Sequence, residues 1–127
     1  MSVQPNSEKP HILVVDDQEG VRFTLKGILG KKGYDVTVAE DGLKALEMVK
    51  NRFFPVILMD IKMPGLNGVE IAHHMRESGL ASCFILLTAN VQQSVLEEAR
   101  AANFANVLEK PVTRAKIAAI LQLPEQD

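Results

Sequence analysis

Short apolar runs that alternate with helix-like stretches constrain the fold of this chain more than any other feature. Four such runs occupy residues 12–15, 56–59, 84–87 and 107–108. Short apolar runs bounded by turn residues are typical of strands buried in a parallel sheet. The polar side chains at or just past their ends are Asp16, Asp17, Asp60, Thr88 and Lys110. Because ligands bind at the carboxyl ends of strands in open α/β sheets, we expect these side chains to share one pocket.

The stretches between and around these runs predict five successive βα units. The predicted strands are His11–Asp16, Tyr34–Ala39, Val56–Asp60, Cys83–Thr88 and Ala105–Glu109. The predicted helices are Gln18–Lys32, Leu43–Lys50, Val69–Glu77, Val91–Ala102 and Thr113–Leu121. Gly33 is the candidate for the residue that follows the first helix, and Thr113 is the candidate N-cap of the last helix.

The composition excludes several classes of protein. The 127 residues suffice for one α/β domain, and a net charge of −2 with scattered Lys and Arg residues gives no nucleic-acid footprint. No apolar stretch approaches the roughly 18 residues of a membrane span, and the polar start lacks a signal-peptide core. We therefore expect a cytoplasmic protein that contacts neither nucleic acid nor membrane. It would have a flexible arm at residues 1–10, a domain at 11–122 and a tail at 123–127.

Three residues outside the predicted pocket could carry chemistry, and we expect none of them to do so. Cys83 opens an apolar run and is predicted to be a small buried hydrophobe. His73 and His74 are neighbours on a predicted helix, where adjacent side chains diverge by about 100°. This pair is therefore unsuited to chelating one ion, and a solvated helix face is the expected role.

The three aspartates predict a site for a divalent cation and a phosphoryl group. Clustered carboxylates repel one another, so Asp16, Asp17 and Asp60 would be costly to fold together without a cation. Mg²⁺ (or Mn²⁺) prefers oxygen ligands of this kind. Asp60 ends the most apolar strand and is the predicted nucleophile, which would form an aspartyl phosphate. The Thr88 hydroxyl could donate to a phosphoryl oxygen, and the Lys110 ammonium could pair first with Asp60 and then with the phosphate.

The polar residues lie in motifs that resemble one known family. The motifs are Val14-Val15-Asp16-Asp17, Met59-Asp60-Ile61-Lys62-Met63-Pro64-Gly65, Leu87-Thr88-Ala89 and Lys110-Pro111. In order and spacing they are similar to the receiver domain of bacterial two-component response regulators, over about His11 to Leu121. The resemblance implies a flavodoxin-like (βα)₅ fold, with a parallel five-stranded sheet of order 2-1-3-4-5 and helices on both faces.

The resemblance also implies a role for each site residue. Asp60 would accept a phosphoryl group from a sensor histidine kinase or a histidine phosphotransfer protein. Mg²⁺ would be bound by Asp17, Asp60 and the backbone carbonyl of Lys62, with Asp16 acting through water. The Lys110–Pro111 peptide would be cis, an isomer found in only about 5–6% of X-Pro bonds generally.

The chain departs from the family pattern beside the pocket. Val107 occupies the position, three residues before the lysine, where the family usually carries Tyr or Phe, so its coupling to Thr88 as a switch is in question. Phe104 could substitute, although core packing is the expected role. Lys62 and Asn90 flank the pocket at positions that usually set the lifetime of the phosphate in this family, where a cation and an amide could either shield the phosphoryl group or orient water.

Several functions remain in competition. The leading hypothesis is a phosphorylation-dependent switch that acts on an unknown downstream protein, passes the phosphoryl group along a relay, or dimerises when phosphorylated. It could also be a module of a longer kinase or regulator. A phosphohydrolase would need a carboxylate where Lys62 stands, and a flavin-binding protein would need a phosphate-binding loop where Asp16 and Asp17 stand. Val107 favours a further alternative, a degenerate receiver that docks independently of phosphorylation.

Overall fold

Five strands and five helices alternate strictly in the computed structural model, which describes residues 10–60, 68–77 and 83–121. The strands are β1 (His11–Val15), β2 (Asp35–Ala39), β3 (Val56–Asp60), β4 (Cys83–Thr88) and β5 (Asn106–Glu109). The helices are α1 (Glu19–Lys31), α2 (Gly42–Asn51), α3 (Gly68–Glu77), α4 (Gln93–Ala101) and α5 (Arg114–Leu121). Every predicted element is present; β3 and β4 have the predicted bounds, and the other elements differ from the prediction by at most two residues at either end.

The strands form one parallel sheet in the order β2-β1-β3-β4-β5, which confirms the expected order and flavodoxin-like architecture. Val15 pairs with Ala39 on one side and with Met59 on the other, while Thr88 pairs with Glu109. This register aligns the carboxyl ends of the strands at one edge. The residues that follow β1 and β5 therefore enter the same crevice as the last residues of β3 and β4.

Two apolar layers hold the helices against the sheet. Leu25 and Leu29 of α1 pack with Ile117 of α5 on one face. Helices α2, α3 and α4 cover the other face through Ala45, Val49, Ile71, Ala72, Met75 and Ala99. Because both faces are covered, Leu58 in the middle of β3 is fully buried, as expected of a central parallel strand. Asp60 thus ends a strand that is paired on both edges and buried on both faces.

The ends of two helices follow the predicted chemistry. Gly33 follows α1 with a φ of 94°, a left-handed conformation that glycine adopts without steric cost. Its amide donates to the carbonyl of Gly30 at 3.1 Å. The Thr113 hydroxyl accepts from the Lys116 amide at 3.2 Å, which is the contact of an N-cap. Both local predictions are confirmed.

Changing Gly33 to Ala is expected to lower the free energy of unfolding by about 1 kcal/mol, since a Cβ is unfavourable in the left-handed region. Changing Gly27 to Ala inside α1 is the matched control, and it should raise the free energy by about 0.5–1 kcal/mol because alanine restricts the unfolded chain. Beyond the adjacent residues and the backbone of the helix itself, an added Cβ would have no neighbour within 4 Å at either position. Urea titration measures both values, and equal signs for the two variants would contradict the argument.

Cys83 is a correction to the sequence analysis. The thiol was expected to be buried, yet the residue is exposed. Cys83 is the first residue of β4 and pairs with Val56, the first residue of β3. Burial increases only from Phe84 onward, because the helices cover the middle of the sheet better than its amino-terminal edge.

Candidate functional site

An acidic cluster lies where β1 and β3 end. Oxygen atoms of Asp16, Asp17 and Asp60 all come within 4.8 Å of one another. Asp16 is fully buried and Asp60 is 6% exposed, whereas Asp17 is exposed. Two carboxylates are thus held inside the protein and the third faces solvent. Since each provides hard anionic oxygen, this set of donors fits a divalent cation such as Mg²⁺ or Mn²⁺.

Lys110 lies against the buried side of this cluster. Its Nζ is 2.8 Å from Oδ2 of Asp16 and 3.2 Å from Oδ2 of Asp60. Burial lowers the pKa of the Lys110 ammonium, but hydrogen bonding and charge attraction from Asp16 and Asp60 outweigh burial, so the net pKa is raised above 10.5. The ammonium therefore stays charged at neutral pH and offsets part of the repulsion between the carboxylates.

The backbone around Lys110 is fixed by its neighbours. The Lys110 amide donates to the Thr88 carbonyl at 2.8 Å, which ties the end of β5 to the end of β4. The Lys110–Pro111 peptide is cis, as the family resemblance implies. The Lys116 ammonium donates to the carbonyl of Pro111 at 3.1 Å and to that of Glu109 at 3.1 Å. The residues directly before and after Lys110 are thus both hydrogen-bonded to Lys116.

Thr88 lies at the pocket, but its hydroxyl is engaged locally. Thr88 is the last residue of β4 and is 4% exposed. Its Oγ1 donates to the Asn90 carbonyl at 3.2 Å and accepts from the Asn90 amide at 3.2 Å. Because a rotation about χ1 would redirect this hydroxyl, its contact with Asn90 competes with donation to a group bound in the pocket. The Asn90 side chain is at the exposed rim.

Two further residues belong to this region and were missed from the sequence. The backbone N–H of Gln18 donates to Oδ1 of Asp16 at 2.9 Å, and the side-chain oxygen of Gln18 accepts from the Lys110 ammonium at 3.0 Å. Arg22 donates from Nη1 to the Asp16 carbonyl at 2.8 Å. Their proximity to the acidic pair in sequence was a usable signal for both, since Gln18 follows Asp17 directly and Arg22 lies one helical turn later.

The aromatic residue near β5 belongs to the core. Phe104 is 8% exposed and meets Phe84 edge-on at 5.9 Å between ring centroids. The Arg76 guanidinium lies 4.5 Å from the Phe84 centroid and donates to the carbonyls of Ala102 and Asn103. This packing confirms a core role for Phe104. Val107 is half-buried and packs against the same apolar layer.

The remaining candidates divide into described and undescribed residues. His73 and His74 are both exposed on α3, and Nε2 of His73 lies 3.2 Å from Oε2 of Glu77. The expected solvated helix face is therefore confirmed. Lys62 lies outside the described residues, so its predicted roles as a metal ligand and a modulator of phosphate lifetime stay predictions.

Among the described helices, none has both the length and the apolar character that a membrane-spanning helix requires.

Several known proteins are similar to this chain in sequence. A response regulator receiver protein, Anae109_2439 from Anaeromyxobacter sp. (strain Fw109-5), is 34% identical over 105 residues, which are 83% of this chain. The chain spans only 44% of that relative's length. Sporulation initiation phosphotransferase F of Bacillus subtilis is 35% identical over 89 residues, which are 70% of this chain and 72% of the relative.

The fold is also found in solved structures, and one family covers nearly the whole chain. The chemotaxis protein CheY4 of Vibrio cholerae superposes with a TM-score of 0.85 at 28% identity, over 90% of this chain and 97% of the other. Residues 12–122 match the family described as the response regulator receiver domain. With five parallel strands in the order 2-1-3-4-5 and an acidic cluster at their carboxyl ends, the chain belongs to the response regulator receiver domain family of two-component signalling.

Proposed function

We propose that this receiver domain accepts a phosphoryl group on Asp60. One observation carries the proposal: a nearly buried carboxylate at the end of the central strand lies 3.2 Å from the Lys110 ammonium and shares a cluster with two other carboxylates. Phosphoryl transfer depends almost entirely on positioning and on stabilising charge. A carboxylate held on a rigid strand beside a fixed cation meets the first of these requirements.

In the proposed reaction, a carboxylate oxygen of Asp60 forms a bond to the phosphorus atom of a phosphohistidine. The N–P bond breaks, and its electron pair stays on the imidazole of the donor. Lys110 would then pair with a phosphoryl oxygen, because its ammonium already lies beside the attacking carboxylate. The Thr88 hydroxyl would leave its contact with Asn90 and donate to another phosphoryl oxygen.

The residues of the cluster fit a bound Mg²⁺. Oδ2 of Asp16 is buried beside the Lys110 ammonium at 2.8 Å, a contact that uses only part of the oxygen's capacity to accept. Such an oxygen can still be satisfied by a cation or by a water bound to it. Asp17, Asp60 and the Lys62 carbonyl would hold the ion, and Asp16 would act through a bound water. When bound, the ion would neutralise charge on the transferring phosphoryl group.

We further propose that the donor is a sensor histidine kinase or a histidine phosphotransfer protein. Family membership supports this class of partner, and one relative is itself named a phosphotransferase. The output would be a contact with a downstream protein, onward passage of the phosphoryl group, or a phosphorylation-dependent dimer. The cytoplasmic location expected from the sequence stays a prediction.

A second candidate function is a docking module that needs no phosphorylation. Val107 favours it, since the half-buried valine is small and the neighbouring aromatic Phe104 is committed to the core. The acidic cluster and its paired lysine favour the phosphoacceptor. Carboxylates this close repel one another and lower the stability of the fold, so their presence points to a bound cation rather than to a docking surface.

Intact mass after incubation with acetyl phosphate and Mg²⁺ tests the proposed function. We expect the protein to gain one phosphoryl group, and the gain should disappear when a chelator replaces Mg²⁺. Hydroxylamine should then remove the group, since it cleaves acyl phosphates but leaves phosphate esters intact. A protein that gains no mass and also binds no beryllofluoride would contradict the proposal and favour the docking module.

A further inference from the structure

The side chain of Gln18 contacts the lysine of the acidic cluster. Its Oε1 accepts a hydrogen bond from Nζ of Lys110 at 3.0 Å, although the two residues are 92 positions apart in the chain. Gln18 is exposed, whereas the Lys110 side chain is only 12% exposed. The contact therefore lies at the mouth of the pocket and holds the ammonium from the solvent side.

The surroundings of the ammonium distinguish Gln18 from the other two partners. Three oxygen atoms lie within 3.2 Å of Lys110 Nζ, from Asp16, Asp60 and Gln18, and an ammonium has three N–H donors. Both aspartates belong to the expected metal site, and Asp60 is also the expected acceptor of the phosphoryl group. Their contacts with Lys110 must therefore change during the reaction. Gln18 is neutral and has neither role, so its contact with Lys110 can persist.

The position of Gln18 is fixed by the backbone. Gln18 is the N-cap residue of α1, but its side chain makes no capping hydrogen bond. Instead, the backbone N–H of Gln18 donates to Oδ1 of Asp16 at 2.9 Å, which anchors the residue to the acidic cluster. The side chain is consequently free of a role in the helix, and its observed partner is Lys110.

We propose that Gln18 is a positioning residue that keeps the Lys110 ammonium directed at the phosphoryl group through the transfer to Asp60. The inference rests on the proposed function, and it assigns to Gln18 no contact with the phosphoryl group itself. A long lysine side chain has considerable rotamer freedom. A neutral acceptor at the mouth of the pocket restricts that freedom. Because it carries no charge, it competes only weakly with the phosphoryl group for the ammonium.

The rate of phosphorylation by acetyl phosphate at saturating Mg²⁺, followed by intact mass, tests this role in the full chain. Gln18→Met keeps the length of the side chain but removes the acceptor oxygen, and it should slow phosphorylation about fivefold, the value of one ordinary hydrogen bond. In a Lys110→Met background the same change should have no further effect, because Gln18 acts through the lysine.

Gln92→Met is the matched control. Gln92 is the N-cap residue of α4, is also extended and also makes no side-chain capping bond. The two single variants should unfold at the same urea concentration, and Gln92→Met should be phosphorylated at the parent rate. The ¹⁵N signal of the Lys110 ammonium adds a readout without phosphodonor. It should be sharp in the parent and in Gln92→Met, and broadened by water exchange in Gln18→Met.

Two results would overturn the inference while leaving the proposed function intact: a parent-like rate for Gln18→Met, or the same fold loss in the Lys110→Met background. A parent protein that gains no phosphoryl group while the ammonium signal still depends on Gln18 would instead overturn the proposed function, and the inference with it. The two failures are therefore distinguishable.

Discussion

Changing Asp60 to Asn is expected to abolish phosphorylation by acetyl phosphate. The amide has the shape of the carboxylate, but its oxygen lacks the negative charge needed to attack phosphorus. Asp60 is 6% exposed and sits at the end of the central strand, so Asn can occupy the same space. Removing one of three clustered carboxylates also relieves repulsion, and we expect the variant to unfold at a urea concentration no lower than that of the parent.

The control for this substitution is Asp35→Asn. Asp35 begins β2 at the opposite edge of the sheet, where it lies 3.2 Å from His11, and phosphorylation of this variant should match that of the parent. A phosphoryl group that still appears on Asp60→Asn would show that another residue is the acceptor. Loss of phosphorylation in both variants would point to a general defect in folding.

Changing Lys110 to Met is expected to lower the free energy of unfolding by about 3 kcal/mol when a chelator removes divalent cations. Breaking a buried ion pair from one side is strongly destabilising because it leaves a charge without compensation. In Lys110→Met the uncompensated charge is the carboxylate of Asp16, whose side chain is fully buried, and Asp60 loses the same partner. Mg²⁺ should restore part of the loss, since the cation would supply the missing positive charge. Urea titration in chelator and in excess Mg²⁺ measures both effects.

Lys44→Met provides the comparison at the surface. Lys44 pairs with Glu40 at 2.7 Å, but both side chains are 53% exposed, and exposed pairs contribute little to stability. We therefore expect no measurable change in unfolding and no dependence on Mg²⁺ for this variant. Similar losses for Lys110→Met and Lys44→Met would contradict the view that Lys110 compensates buried carboxylates.

The sequence alone determined the order and type of all ten elements. Apolar runs of two to four residues next to stretches with helical spacing specify parallel strands and helices, because each element must bury its own apolar side. Local chemistry also determined two helix ends, where Gly33 and Thr113 act on neighbours only a few residues away. The meeting of Asp16, Asp17, Asp60 and Lys110 was predictable too, since parallel strands present their carboxyl ends at one edge.

Only the tertiary structure decided how these groups engage one another. The contact between Gln18 and Lys110 joins residues 92 positions apart, and no local pattern encodes which side chains meet over that separation. The Thr88 hydroxyl was expected to face the pocket, yet its position is set by the backbone of Asn90. Cys83 is exposed although it begins an apolar run, because an apolar neighbourhood in sequence does not determine which residues the tertiary structure covers. Spacing along the chain determines which residues share an edge, whereas packing between elements determines their partners and exposure.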